Sequence, residues 1–323
     1  MYTDFYGLRE LPFGLTPNPK YFFKTDSHVE AMSNLRYGIE HRKGLVVVTG
    51  EVGCGKTTTL RAVLEQLGPD VLAVYLFNPV VSVQEFFKLL ARGLGLEISQ
   101  SISKADLLTV LDDFLAARHK AGLRTALIID EAHSMPAPIL EEVRLLMNFE
   151  THLAKLLQVI LCGQPELRDT LNRPEFRQLK QRISLRCSIK ELTLFEAEKY
   201  IRFRLKKAGA RRVDLFDRAA SRLIGHVSRG IPRVISNICD NALLCGFGAG
   251  REVITYDVVE EVLNLLDLTP VDDLRGFKAD SSGLHAWNPL ENPLESTGNA
   301  SLPKRPSIFS EHTMLTEDFL AEG

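Results

Sequence analysis

Short apolar runs alternate with amphipathic stretches along the first 190 residues of the chain. The runs LVVVT, VLAVYLF, TALIID, LLQVILCG and ISLRCSI are typical of strands that are buried on both faces of a sheet. Helices are predicted to begin near Ser27, which has capping-box spacing to Glu30, and near Lys56, Ser82 and Ser103, with another over PAPILEEVRLLMNFE. This α/β alternation predicts a parallel sheet sandwiched by helices, over residues 26–190.

The pattern changes after Glu191, because the apolar positions now follow a helical period without intervening strands. Helices are predicted at roughly 193–208, 214–228, 232–246 and 255–266. The sequence therefore predicts a small all-helical lid domain over residues 191–268.

Two flanking segments differ from these domains. Residues 1–25 are rich in aromatic side chains and are interpreted as an N-terminal strap that packs on the body of the protein. Residues 269–323 are rich in Pro, Ser, Gly and Asn and show no sustained periodicity, which predicts a disordered, acidic tail.

Charge and composition exclude several classes of protein. Residues 1–269 carry 35 Lys and Arg against 32 Asp and Glu, whereas the chain from Pro270 onward carries four against nine, so the body is not strongly basic. No apolar stretch approaches the about 18 residues that cross a bilayer, and the beginning of the chain does not resemble a signal peptide. We expect a cytoplasmic protein that is not inserted in the membrane, with any inner-membrane association made through a partner. The five cysteines form no CxxC pair and are interpreted as small buried side chains.

A glycine-rich loop follows the first predicted strand. Gly50, Gly55, Lys56 and Thr57 match the pattern G-x-x-x-x-G-K-[ST], and the loop lies between a strand and a helix, where backbone N–H groups can surround phosphate oxygens. Lys56 is expected to reach the terminal phosphates and the Thr57 hydroxyl to hold Mg²⁺. The predicted ATP-binding residues are Gly50, Glu51, Val52, Gly53, Cys54, Gly55, Lys56, Thr57 and Thr58.

The segment ALIIDEAH supplies an acidic pair at the end of another predicted strand. Asp130 is placed to help hold the Mg²⁺, and Glu131 is placed to orient and activate the attacking water. The pair falls at the carboxyl end of a strand, which is where parallel sheets bind ligands. We therefore predict a nucleotide hydrolase with ATP and Mg²⁺ as its cofactors.

Three classes of nucleotide-dependent protein fit a phosphate-binding loop. A GTPase would carry an Asn-Lys-x-Asp motif, and the sequence contains no Asn-Lys pair. A helicase with a DEAH motif would carry a second motor domain, whereas only predicted helices and the tail follow the sheet here. The AAA+ ATPases remain, and they require a polar sensor residue, an arginine finger and an arginine in the lid.

All three of these positions are filled. Gln164 follows the strand LLQVILCG and is the sensor candidate, although its amide could also cap the next helix. Arg182, before the last strand, is the preferred arginine finger, with Arg177 and Arg186 as its alternatives. Arg233 lies in the first turn of a predicted lid helix, where a positive charge opposes the helix dipole unless an anion is near.

The assembled motifs resemble the ExeA, or general secretion pathway protein A, family of bacterial AAA+ ATPases. The likeness spans about residues 1–268 and rests on DFYGLRELPFGLTPNPKYFF, GEVGCGKTT, LIIDEAH, LEEVRLLMNFET, GQPEL, LKQRI and GIPRVISNICDNALL. The resemblance implies the roles given above for the site residues. It also implies that the N-terminal strap crosses the nucleotide face near the adenine, the alternative being a hydrophobic strap on the sheet.

The resemblance implies partners as well. Members of the family serve type II secretion, pilus biogenesis and exopolysaccharide or exosortase systems, so we expect a nucleotide-dependent homo-oligomer, with the arginine finger acting in trans, and an unidentified secretion or envelope partner. The secretion prototype continues into a membrane span and a peptidoglycan-binding domain, and direct anchoring of this kind is not expected here.

A DNA-bound, ATP-dependent switch that resembles the transposition regulators is the alternative function. Its support is a run of basic residues in the predicted helix AEKYIRFRLKKAGARR. Such runs are usually solvated, so DNA is the less favoured partner.

Overall fold

The computed structural model describes residues 1–14, 16, 18–77, 80–99 and 102–268. Its five strands, which agree with the five predicted runs, are β1 (Leu45–Gly50), β2 (Val71–Phe77), β3 (Arg124–Asp130), β4 (Gln158–Gly163) and β5 (Ile183–Ile189). All their pairings are parallel, and the strand order is β2-β3-β4-β1-β5. The predicted parallel α/β sheet is therefore confirmed. The predicted disordered tail, residues 269–323, lies outside the described residues.

Twelve α-helices surround or follow this sheet within the described residues. They are α1 (Tyr2–Phe5), α2 (Asp26–Glu40), α3 (Lys56–Leu64), α4 (Val83–Gly93), α5 (Lys104–Lys120), α6 (Ala137–Leu146), α7 (Glu166–Asn172), α8 (Arg177–Gln181), α9 (Leu194–Lys207), α10 (Arg218–Val227), α11 (Pro232–Gly248) and α12 (Tyr256–Leu265). In the described parts of the chain, none of these helices combines the length and the apolar composition that a bilayer crossing requires.

Helix starts follow the caps that the sequence offers. Ser82 and Ser103 cap α4 and α5 as predicted, each accepting a hydrogen bond from a backbone N–H of the first turn. Helix α2 begins earlier than expected, with Thr25 and not Ser27 as its N-cap. The reason is that the imidazole of His28 accepts a hydrogen bond from the Thr25 backbone N–H at 3.3 Å, which is the role that the sequence gave to Glu30.

The two faces of the sheet are covered by different helices. Side chains alternate along β1, so that Leu45 and Val47 belong to the apolar cluster that includes α4 to α8, while Val46 and Val48 belong to the cluster that includes α2 and α3. Because helices cover both faces of the sheet at β1, side chains on either face are buried, which explains the continuous apolar run LVVV.

A third apolar cluster joins the helices after the sheet to the start of the chain. It contains residues of α9 to α12 together with the aromatic side chains of Tyr2, Tyr6, Phe13 and Tyr21. The backbone N–H of Arg9 donates to the carbonyl of Ala208 at 2.8 Å, which fixes the N-terminal segment on α9. These aromatic residues therefore pack on the lid helices and not on the sheet. The domain boundaries given by the sequence stay predictions.

The strand topology determines where a site can form. Since all five strands are parallel, Gly50, Asp130 and Gly163 end their strands at the same edge of the sheet. The remainder of the glycine-rich loop, Glu131 and Gln164 each follow one of these three residues directly. The topology thus brings together segments that lie far apart in the sequence.

Candidate nucleotide-binding and catalytic site

The glycine-rich loop connects β1 to α3 in a conformation that glycine favours. Gly53 and Gly55 have φ angles of 82° and 93°, in the left-handed region that a residue with a Cβ rarely adopts. A Cβ on Gly53 would also lie 2.7 Å from the Cβ of Arg233. The Lys56 side chain is buried, and its ammonium donates to the carbonyls of Gly50 and Glu51 at 2.9 and 3.0 Å.

His28 holds this loop from the neighbouring helix α2. Its Nε2 lies 3.0 Å from the carbonyl oxygen of Cys54, which can only accept, so Nε2 carries the proton. Nδ1 is then the acceptor for the hydroxyl of Thr25 at 2.7 Å. Burial lowers the pKa of His28, which agrees with this neutral imidazole. The neighbouring Cys54 packs in the core, and burial raises its thiol pKa to about 11.

We predict that His28→Ala lowers the free energy of unfolding by about 1–3 kcal/mol, because the buried carbonyl of Cys54 loses its donor. Equilibrium denaturation of the variant would measure this change. His28→Gln should lose less, because its amide can donate from a similar position. A His28→Ala protein as stable as the wild type would show that the contact is not a support of the loop.

Two oxygen-bearing side chains that could hold a magnesium ion come from the loop and from β3. The hydroxyl of Thr57 donates to Oδ2 of Asp130 at 2.7 Å, and the hydroxyl of Tyr75 donates to the same oxygen at 2.5 Å. Asp130 is fully buried. Burial and this hydrogen bond raise the pKa of Tyr75, so the phenol stays a donor. A hydroxyl and a carboxylate that meet in this way fit the preference of Mg²⁺ for oxygen.

Glu131 follows Asp130 with a φ of 56°, an uncommon conformation for a residue with a side chain. The Glu131 side chain is 31% exposed, and its Oε2 lies 3.6 Å from Nδ1 of His133. The other nitrogen of that ring lies 2.9 Å from Nε2 of Gln164. Gln164, which the sequence placed as a polar sensor, thus lies beside His133, and its backbone N–H donates to Nδ1 of that ring at 3.5 Å.

Arg233 approaches the loop from the lid. It is the second residue of α11, after Pro232, and its side chain packs on Gly53. A cation at this end of a helix opposes the helix dipole. The placement is favourable only where a negative ligand can offset that dipole, and the glycine-rich loop provides such a position.

A cavity of about 400 Å³ lies between the loop, the lid and the N-terminal segment. It brings together most of the predicted site residues. Its lining consists of Gly14, Thr16, Asn18, Tyr21, Phe22, Phe23, His28, Val52, Gly53, Cys54, Gly55, Lys56, Thr57, Thr58, Glu131, Leu192, Tyr200, Arg204, Pro232, Arg233 and Ser236.

Five predicted residues do not line this cavity, for different reasons. Gly50 and Glu51 lie at the base of the loop, where their carbonyls hold Lys56, and Asp130 is buried behind Thr57. Gln164 lies behind His133. Arg182 lies away from the cavity, and its guanidinium donates to the carbonyl of Arg144 at 3.5 Å.

Arg182 immediately precedes β5, at the edge of the sheet opposite to the glycine-rich loop. The seven residues of β5 span about 20 Å, which separates this guanidinium from the loop of its own chain. The alternative Arg186 is exposed within β5 and Arg177 is exposed at the start of α8, and neither lines the described cavity.

The sequence missed four residues that the structure brings to the site. His28, Tyr75 and His133 make the hydrogen bonds described above. Arg204, which the sequence counted within a solvated basic run, is only 8% exposed and donates to the carbonyls of Pro12 and Gly14 at 2.5 and 3.0 Å. Of these four, only His133 had a local signal, its position within ALIIDEAH.

The parallel sheet, the glycine-rich loop joined to the buried Asp130, and the helical lid that carries Arg233 define the class of AAA+ P-loop NTPases. A family model described as an AAA domain matches residues 39–171. The general secretion pathway protein A of Aeromonas hydrophila is 40% identical over 256 residues. The chain belongs to the ExeA-like AAA+ ATPases, as its motifs predicted. That alignment covers 79% of this chain and 47% of the relative, so the chain spans about half the length of the relative.

Solved structures share the fold at low sequence identity. Cdc6p from Pyrobaculum aerophilum has a TM-score of 0.60 at 16% identity, with 76% of this chain and 68% of that chain covered. The Drosophila ORC bound to DNA has a TM-score of 0.58 at 16% identity, with 79% and 66% covered. The Holliday junction branch migration motor RuvB of Thermotoga maritima has a TM-score of 0.52 at 17% identity, with 80% of this chain and 74% of that chain covered.

Proposed function

We propose that this chain binds ATP together with Mg²⁺ in the cavity between loop and lid, and hydrolyses it to ADP and phosphate. One observation carries the proposal, the 2.7 Å hydrogen bond between Thr57 and Asp130. It joins two motifs that are 73 residues apart and places a hydroxyl and a carboxylate beside Lys56 and Glu131. Few functions other than the binding of a metal–nucleotide complex need these groups in one place.

The residues of the loop take the binding roles. Backbone N–H groups of residues 50–58 and the N-terminus of α3 surround the phosphates, and the ammonium of Lys56 exchanges its carbonyl partners for phosphate oxygens. Thr57 and Asp130 would hold the Mg²⁺, which offsets negative charge on the phosphate oxygens. The lid contributes Arg233, whose charge complements the same phosphates.

The catalytic roles belong to residues at the strand ends. The Glu131 carboxylate orients a water molecule and accepts its proton as the water oxygen attacks the terminal phosphorus. The bond from that phosphorus to the bridging oxygen breaks and leaves ADP. Gln164, at the end of β4, supports the reacting phosphoryl group or the attacking water. Arg182 of a neighbouring copy stabilises the negative charge of the transition state.

We predict that Lys56→Ala weakens ATP binding about 10- to 100-fold, because charge-assisted hydrogen bonds of about 1.5–3 kcal/mol to the phosphates are lost. Titration with a fluorescent ATP analogue in the presence of Mg²⁺ measures the dissociation constant. Lys120→Ala, at the exposed end of α5, is the matched control. Absence of ATP binding by the wild-type protein would overturn the proposal.

We infer that the protein forms a homo-oligomer when nucleotide is bound and uses the cycle to build or regulate a secretion or envelope apparatus of the type II secretion, pilus or exopolysaccharide kind. The support is the 40% identity to a general secretion pathway protein A. A cytoplasmic location follows from this proposal, with the inner membrane reached through the partner. Capture of partners by a Glu131→Gln protein held in its ATP state, compared with Lys56→Ala, tests the inference.

The DNA-bound switch has weaker support. One member of the basic run on α9, Arg204, is buried among Tyr21, Tyr200 and Phe13 and cannot contact a phosphate backbone from the surface. Duplex binding whose affinity falls steeply with salt would favour the switch, because such a slope counts phosphate contacts.

A further inference from the structure

Tyr75 contacts the candidate magnesium site from the neighbouring strand β2. In the pairing of β2 with β3, Tyr75 lies opposite Ile128 and Phe77 lies opposite Asp130, so all four side chains project from the same face of the sheet. The hydroxyl of Tyr75 donates to Oδ2 of Asp130 at 2.5 Å. The described lining of the cavity does not include Tyr75, so the phenol acts on Asp130 from outside the space proposed for ATP.

A long side chain with a terminal donor is needed for this contact. Tyr75 lies two residues before the position opposite Asp130, a distance of about 6–7 Å along the strand. The phenol covers this distance and ends in a hydroxyl. Phe77, directly opposite Asp130, is 67% exposed and has no polar atom to offer. The donor that reaches Asp130 from β2 is therefore the hydroxyl of Tyr75.

The Asp130 carboxylate is held at both of its oxygens. Oδ1 accepts from the backbone N–H of Glu131 at 3.0 Å, and Oδ2 accepts from the hydroxyl of Thr57 at 2.7 Å in addition to that of Tyr75. The terminal torsion of an aspartate side chain is broad, so donors on both oxygens are needed to fix the plane of the carboxylate. Asp130 is fully buried, where hydrogen bonds of this kind are stronger than in water.

The two hydroxyls differ in their other duties. The oxygen of Thr57 would itself hold Mg²⁺, so Thr57 has to serve the ion and Asp130 together. Tyr75 has no such second duty, and its bond to Oδ2 can persist whether or not nucleotide is bound. Partners that lie outside the ligand set commonly orient the ligands of a metal site.

We propose that Tyr75 is a positioning residue for magnesium, whose hydroxyl holds the Asp130 carboxylate in the orientation that the ion requires. The proposal rests on the function proposed above, the binding of ATP together with Mg²⁺. Tyr75 contacts neither ATP nor the ion in this role, and its hydroxyl keeps its proton. Its effect is on the concentration of Mg²⁺ at which the site is filled.

The test uses Tyr75→Phe, which removes the hydroxyl and keeps the ring. We expect the half-saturating Mg²⁺ concentration to rise about 10- to 100-fold, because the loss of an outer partner of a metal ligand has an effect of this size. Titration of Mg²⁺ at a fixed concentration of a fluorescent ATP analogue measures the shift through binding, without turnover. In EDTA the variant and the wild type should bind the analogue equally, because Lys56 and the loop are unchanged.

Tyr37→Phe is the matched control, because it removes a hydroxyl from an exposed tyrosine of α2. Tyr75→Leu separates positioning from packing. It also lacks the hydroxyl and should show the same Mg²⁺ shift, with an additional loss of stability in thermal unfolding. If Tyr75 only packs in the core, Tyr75→Phe will keep the wild-type Mg²⁺ dependence, and this result would overturn the proposal. A fall in kcat with an unchanged Mg²⁺ dependence would also refute it.

The wild-type protein separates this proposal from the function on which it rests. A wild-type protein whose binding of the ATP analogue does not respond to Mg²⁺ would refute the proposed function. A normal wild-type response with the same response in Tyr75→Phe would refute the role of Tyr75 alone. The two failures are therefore distinguishable in one set of titrations.

Discussion

ATP turnover by a Glu131→Gln protein is expected to fall about 10²- to 10⁴-fold, which is the range that a general base contributes. The amide keeps the size and the polarity of the carboxylate, but it cannot accept the proton of the attacking water. ATP binding should remain close to that of the wild type, because Lys56, Thr57 and Asp130 are unchanged. Steady-state phosphate release together with titration of an ATP analogue measures both quantities.

Glu65→Gln provides the control for this experiment, since Glu65 is exposed at the far end of α3. The same change of charge there should leave turnover unchanged. Full turnover in Glu131→Gln would mean that another group removes the proton. A parallel loss of ATP affinity would instead assign Glu131 to binding of the metal–nucleotide complex.

The fold was predictable because its signals are local. The central strands β1, β3 and β4 are short apolar runs because helices cover both faces of the sheet there, whereas the edge strand β5 alternates buried and exposed positions. Ser82 and Ser103 precede helices that begin where their caps predict. Helix α2 was misplaced because His28 took the part of the acidic residue in the capping box. A propensity scale does not anticipate an imidazole in this position.

The motifs of the site were predictable for a different reason. Phosphate binding requires glycine at defined positions and a lysine beside them, so GEVGCGKTT is recognisable without knowledge of the fold. The parallel order of the strands then determines that Asp130 lies close to Thr57, although neither motif indicates the other.

The supporting contacts could not be predicted, because they join segments that are distant in the sequence. Tyr75 reaches Asp130 only because β2 pairs with β3, where Phe77 lies opposite Asp130. His28 reaches the loop only because α2 packs beside α3. Arg204 follows a helical period that is ambiguous between a solvated face and a buried one. Its burial depends on the carbonyls of the N-terminal segment, which no local pattern reveals.

The geometry of Arg182 bears on the proposed assembly. The residue precedes β5, whereas the glycine-rich loop follows β1, and the two strands are parallel neighbours. A guanidinium at one edge of the sheet cannot serve a phosphate at the other edge of the same chain. Any direct action of Arg182 on ATP therefore needs a second copy, docked head to tail, whose opposite edge faces the first copy's cavity.

Arg182→Ala is expected to lower kcat about 10³- to 10⁵-fold while each chain still binds ATP, as for arginine fingers in related chemistry. Mixing this variant with Lys56→Ala should restore activity, because the first protein keeps an intact loop and the second keeps an intact arginine. At equal amounts, about a quarter of random head-to-tail interfaces would combine the two intact halves. Phosphate release across mixing ratios measures the recovery.

The rival residues supply the controls for this experiment. Arg177→Ala or Arg186→Ala in place of Arg182→Ala should keep most of the wild-type turnover, and neither needs a partner to restore it. Recovery with one of these variants, and not with Arg182→Ala, would move the finger to that position. If no mixture recovers activity while both proteins still assemble with ATP, the site is complete within one chain. Because Arg182 is too far from the loop of its own chain, another group would then have to stabilise the transition state. Arg233 on the lid, which packs on Gly53 and lines the cavity, is placed to do so.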